Sequence, residues 1–153
     1  MPDDQIRGDD AISVRLQTLA ERLGARFGDL LEIRTQKADQ FPITTVSVLP
    51  QNPKACSMSW IEMGQSELII GVGRGGRWEE RRDTEAVDFL ENVVAAVTGG
   101  RVVEVFGPGR SQVTVMFSDG TSKRSSEGSA PIGCLPAPFW PRWGRKVTYS
   151  PYD

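Results

Sequence analysis

Histidine is missing from this chain of 153 residues. Its absence removes the usual general base near neutral pH, the commonest zinc ligand and the usual partner of a nucleophilic serine. Cysteine occurs only at Cys56 and Cys134. A structural zinc site draws on about four Cys or His ligands, so neither a metal site nor a cofactor is expected. The two thiols are far apart in sequence and read as small buried apolar side chains, since a reducing cytosol disfavours a disulfide. No apolar run is long enough to cross a bilayer. Neither sign of charge dominates: 18 Lys and Arg against 20 Asp and Glu leave a net charge of −2, which draws the chain neither to nucleic acid nor to anionic lipid. Met1-Pro2-Asp3-Asp4 lacks the basic start and apolar centre of a secretory signal, so a cytoplasmic location is the expectation.

What remains is an ordinary globular composition, 39% apolar and 25% charged, in a chain of single-domain size. Fourteen of the eighteen basic residues are arginine. Residues 1–8 are polar and read as a loose N-terminus. A helix is expected from Asp9 or Asp10, because Ile12, Leu16, Leu19, Leu23 and Phe27 recur at helical spacing. Strands are expected over 30–36, 43–49, 55–63 and 67–72, from β-branched content, alternation and intervening turn residues. A second helix over 84–98 is the clearest element: Asp83 is suited to cap it, Leu90, Val93 and Val97 belong to a wide apolar face, and Gly99-Gly100 end it. Strands over 101–106, 111–117 and 121–126 follow, the last two joined at Ser118-Asp119-Gly120. The predicted fold is α+β: one domain, an antiparallel sheet of about seven strands in the order α-β4-α-β3, two helices on one face, and an irregular tail.

Gly71, Gly73 and Gly76 spell G-x-G-x-x-G after an apolar run. A dinucleotide site needs that fingerprint after the first strand of a parallel βαβ unit, with the helix starting inside the motif and aimed at the pyrophosphate. Here six residues separate Gly76 from the cap at Asp83, and position 96, where a ribose-binding acid belongs, is Ala96. The Walker Gly-Lys-Ser/Thr is absent as well. The glycines are therefore expected to let the chain leave a sheet edge and cross to the helix.

The residues around them are more telling. Arg74, Arg77, Arg81 and Arg82 alternate with Glu79, Glu80 and Asp83, with Trp78 in the middle. One reading is a solvated loop whose charges pair with each other; the other is a protein-binding patch, since Trp and Arg are enriched in binding hot spots. Mixed charge disfavours a nucleic-acid footprint. The tail, 127–153, combines Pro131, Pro136, Pro138, Pro141 and Pro151 with Phe139, Trp140, Trp143, Tyr149 and Tyr152. It either packs across the sheet or, with Arg142, Arg145 and Lys146, presents an aromatic and basic surface. Glu62, Glu67, Glu104 and Asp119 are the candidate acid/base groups, but no spacing brings two together, and Ser111 and Ser118 have no histidine to activate them.

The segment ELIIGVGRGGRWEE…GGRVVEVFG with its Ser-Asp-Gly hairpin resembles small uncharacterised actinobacterial proteins of immunity-protein type, over residues 65 to 125. The resemblance implies a cytoplasmic protein that binds and blocks a toxin through charged and aromatic contacts. The expected function is a non-enzymatic protein-interaction domain using Arg74, Arg77, Trp78, Arg81 and Arg82 with Trp140 and Trp143. The alternative is a small-molecule-binding or enzymatic domain with a pocket between helix 84–98 and the sheet.

Overall fold

A computed structural model describes residues 2–153, with side chains from residue 11 onward. The chain is α+β, as expected, but among the described residues the strands number nine and divide between two antiparallel sheets. The first sheet is a five-stranded meander of β1 (Leu31–Lys37), β2 (Ile43–Pro50), β3 (Met58–Met63), β4 (Glu67–Val72) and β5 (Gly76–Arg81), in chain order. The second has the order β8-β7-β6-β9, from β6 (Val102–Gly107), β7 (Arg110–Met116), β8 (Ser122–Gly128) and β9 (Arg145–Thr148). Helix α1 (Pro2–Phe27) precedes the first sheet and α2 (Thr84–Thr98) joins the two. A single turn, α3 (Trp140–Trp143), lies in the tail.

Two expectations are corrected here. The single seven-stranded sheet is in fact two sheets, because 73–82 is a turn followed by a strand, not a crossover loop, and because the tail adds β9 against β6. Helix α1 also starts ahead of the acidic pair Asp9-Asp10. Pro2 suits that start, since a first turn leaves its amides unpaired anyway. Met1 lies outside the described residues.

The core follows from alternation. On the inner face of the first sheet, Val48, Met58, Trp60, Ile70 and Val72 are buried with Leu16, Leu19, Leu23 and Phe27 of α1 and with Val87, Leu90, Val93 and Val97 of α2. Both helices therefore cover one face of that sheet. Val102, Val113 and Val115 extend the same cluster into the second sheet. Asp83 caps α2 as its sequence suggests, accepting from the Ala86 amide at 2.9 Å. At the far end of α1, Phe27 meets Tyr152 edge to face at 5.5 Å, so the last residues of the chain are tied into the interior.

Candidate protein-interaction surface

The glycine-rich segment is a tight hairpin. Val72 pairs with Gly76, and Gly73 takes φ +60° at its turn, a conformation that glycine adopts without strain. A Cβ on Gly73 would lie 2.5 Å from Glu104 Oε1. Glu104, fully buried on β6, is the reason for this closeness. Its carboxylate accepts from the Arg74 amide (3.1 Å), the Gly75 amide (2.9 Å) and the Tyr149 hydroxyl (2.6 Å). Successive turn amides form an anion-binding concavity. The anion they hold is the protein's own Glu104, which staples the first sheet to the second and leaves the turn amides no capacity for a phosphate.

Cys56 sits under the same turn. Burial, and then the nearby Glu104 charge, pushes its thiol up to about 12, so at neutral pH it is an un-ionised, unreactive group. The Tyr149 hydroxyl is raised well above its ordinary range, by burial first and then by its bond to Glu104. The remaining candidate acids do not join this group. Glu62 is paired with Arg82 at 3.1 Å, Glu67 lies exposed at the start of β4, and Asp119 is held below the usual carboxylate range by hydrogen bonds from Thr121 within its turn. Among the described residues, no three His, Cys, Asp or Glu side chains group so as to hold a metal ion.

The expected Arg/Trp patch does not form one surface. Because 76–81 is a strand, its side chains alternate between faces. Arg77, Glu79 and Arg81 point outward, while Trp78 turns to the helix side, half-buried. There it meets Phe89 edge to face at 6.0 Å, and Phe89 meets Phe117 at 6.1 Å. Arg82 is buried, with Nη2 donating to Ser13 Oγ at 2.7 Å and bridging to Glu62. Arg74, Arg77 and Arg81 are exposed, but Arg77 is matched by Glu79 at 3.0 Å. Its backbone is also fixed: Ser125 Oγ accepts from the Arg77 amide (3.0 Å) and donates to its carbonyl (2.9 Å). Trp78 and Arg82 thus serve the fold.

The tail divides differently from either expectation. Its last part is tied to the domain: β9 pairs with β6 while leaving Arg145 and Lys146 exposed, and the Tyr152 hydroxyl, inside, donates to the Cys56 carbonyl at 2.6 Å. Its middle part stands in solvent. Ile132, Leu135, Phe139 and Trp143 are 53–71% exposed, and Cys134, expected to be buried, is exposed beside them. Trp140 anchors the segment, its ring against Gly107 of β6 with no room for a side chain there. Trp143 is presented, with its indole N–H donating to the Pro138 carbonyl at 3.0 Å. Arg110 donates to the Ile132 and Leu135 carbonyls, fixing the loop from below.

Phe139 has φ +59°, a left-handed conformation that is strained for an aromatic residue and in general costs on the order of 1–3 kcal/mol. Among the described residues, the most exposed large apolar side chain is thus held in a strained conformation. Arg142 lies over the Phe139 ring at 5.5 Å and Arg145 over Phe106 at 4.7 Å. Among the described residues, none of the ion pairs involves Arg142, Arg145 or Lys146. Phe139 and Leu135, absent from the expected contact set, therefore join Trp143 on the surface. The tail's proline spacing and aromatic density were the available signal. No helix is long and apolar enough to cross a membrane among the described residues. Compared with protein-family models, with curated proteins and with solved structures, the chain matches none of them.

Proposed function

We propose that this chain is a non-enzymatic protein-interaction domain whose contact surface is the tail segment 132–146 rather than the β4–β5 hairpin. The observation that carries the reading is Phe139, 71% exposed and held at φ +59°. The turn at Phe139 starts α3, with its carbonyl accepting from the Arg142 amide at 2.9 Å, and it fixes the Phe139 ring in solvent; a rigid, preorganised anchor lowers the ordering cost of association. Trp143 and Leu135 supply further apolar area, and Arg142, Arg145 and Lys146 supply unmatched positive charge. Such a surface suits a protein partner with an apolar pocket rimmed by carboxylates. The immunity-type resemblance gives that partner a class, a toxin that the chain would mask by occupying its surface.

The test is capture of a partner from lysate of the source organism on the immobilised full chain, followed by titration of the purified partner. Phe139→Ala with Trp143→Ala is expected to weaken binding at least tenfold (about 1.4 kcal/mol), and rising salt is expected to slow association. A partner that binds the double variant as tightly as the wild type would rule out the tail as the contact surface.

A further inference from the structure

Among the described residues, the first sheet ends at β1 with no strand on its outer side. Which backbone groups lie along that edge follows from the ladder. The Gln51 amide donates to the Leu30 carbonyl and the Ala38 amide to the Ile43 carbonyl, so the even-numbered residues of β1 bond to β2. In an antiparallel pair the bonding side alternates from residue to residue. Both backbone groups of Ile33 and of Thr35 therefore point away from the sheet. So does the Leu31 carbonyl, while the Leu31 amide donates back to the Gly28 carbonyl.

Such an edge is a template for another chain, and proteins blunt it with proline, a bulge or a very short strand. β1 has none of these. It runs for seven residues without proline and keeps an unbroken register with β2. Its charges suit a second copy in one register. A two-fold axis across this edge centres on one residue, because residues paired across strands share a face. Centred on Glu32 or on Arg34, it sets that charge against itself, which repels. Centred on Thr35, it sets Arg34 against Gln36 and matches no opposite charges. Centred on Ile33, it sets each Glu32 against the other copy's Arg34. Glu32 and Arg34 already pair within the strand at 2.6 Å, so the four side chains would alternate in sign around the axis. The same register joins Ile33 to Ile33 and brings each Thr35 amide to the other copy's Leu31 carbonyl. Leu30 and Phe41, exposed large apolar side chains at the two ends of β1, are then set start against end.

We infer that two copies of this chain associate through their β1 edges, antiparallel and centred on Ile33. The five-stranded sheet doubles into one continuous sheet with the helices of both copies on the same face. The tail surface lies elsewhere, so either contact can fail without the other.

The experiment is analytical ultracentrifugation of the full chain over a range of concentrations. The wild type is expected to pass from one chain to two as concentration rises toward about 1 mM. Glu32→Arg and Arg34→Glu, each of which sets like charges opposite each other, are each expected to weaken self-association roughly tenfold or more. Mixed in equal amounts they are expected to pair again, because every Arg of one variant then faces a Glu of the other. A wild type that stays a single chain at about 1 mM overturns the inference. So does a single variant that self-associates as well as the wild type, or a mixture that does not pair. Should either variant not fold, Thr35→Pro carries the test: it removes an amide that faces away from β2, is expected to leave a monomer, and overturns the inference if it dimerises as the wild type does.

Discussion

Arg74–Arg82 and Phe139–Lys146 are both rich in arginine and tryptophan, and each reads from composition as a contact surface. In the first, Trp78 stacks edge-on against Phe89, Arg82 is buried against Glu62, and Arg77 is matched by Glu79. In the second, Trp143 and Phe139 stand in solvent, and Arg142 and Arg145 lie over aromatic rings and join none of the ion pairs among the described residues. The difference comes from backbone pairing. β5 is paired along its length with β4, so every second side chain must turn inward. The tail around α3 is tied down through Trp140 and Arg110 instead, which leaves Phe139, Arg142 and Trp143 outward. The short edge strand β9 pairs with β6 on one side and keeps Arg145 and Lys146 exposed. Arginine and tryptophan nominate a surface; the pairing around them decides whether it is spent on the fold.

The contrast can be broken most severely at Glu104. Glu104→Ala leaves the Arg74 and Gly75 amides and the Tyr149 hydroxyl buried without their acceptor, and is expected to lower stability by about 3 kcal/mol or more in a urea titration. A loss under about 1 kcal/mol would mean that the hairpin does not depend on this staple. Trp78→Ala should cost about 2–3 kcal/mol through lost packing, whereas Trp143→Ala should stay within about 0.5 kcal/mol. Thermal melts of the two variants check that ordering, and equal losses would erase the distinction between the segments.

Alkaline pH acts on the buried thiol and phenols. Cys56 is raised from 9.0 to about 12, and burial raises Tyr149 and Tyr152 above their ordinary 10.0. The folded chain therefore holds protons that the unfolded chain releases, so stability is present in full below pH 9 and falls as pH rises toward 12. A stability curve flat across that window would contradict these burials. The mildest probe is thiol labelling at pH about 8, which should modify exposed Cys134 at once and Cys56 only after denaturation. Two fast thiols would show that the Glu104 cluster opens readily.

Helix α2 was legible to the residue, because its apolar face, its Asp83 cap and Gly99-Gly100 all point to the same limits. Strands β2 and β4 were equally plain from β-branched content. β5 was not, since Gly-Arg-Trp-Glu-Glu-Arg has no β signature and becomes a strand only by pairing with β4. β9 fails for the same reason, needing β6 beside it. The split into two sheets was likewise hidden, because hairpin loops reveal which strands pair but not where a sheet ends. At the site, the tail's aromatic and basic character was readable, whereas the burial of Arg82 was not. Its partner Glu62 is twenty residues away and reaches it only through the register of three strands.

The most direct test sets the two segments against each other on one purified partner, comparing the dissociation constant of Phe139→Ala/Trp143→Ala with that of Arg77→Ala/Arg81→Ala, whose residues are the hairpin's exposed arginines. The tail variant is expected to lose tenfold or more, while the hairpin variant stays within about threefold of the wild type. The reverse pattern, a hairpin variant that loses binding beside a tail variant that keeps it, would contradict the assignment of the surface to the tail.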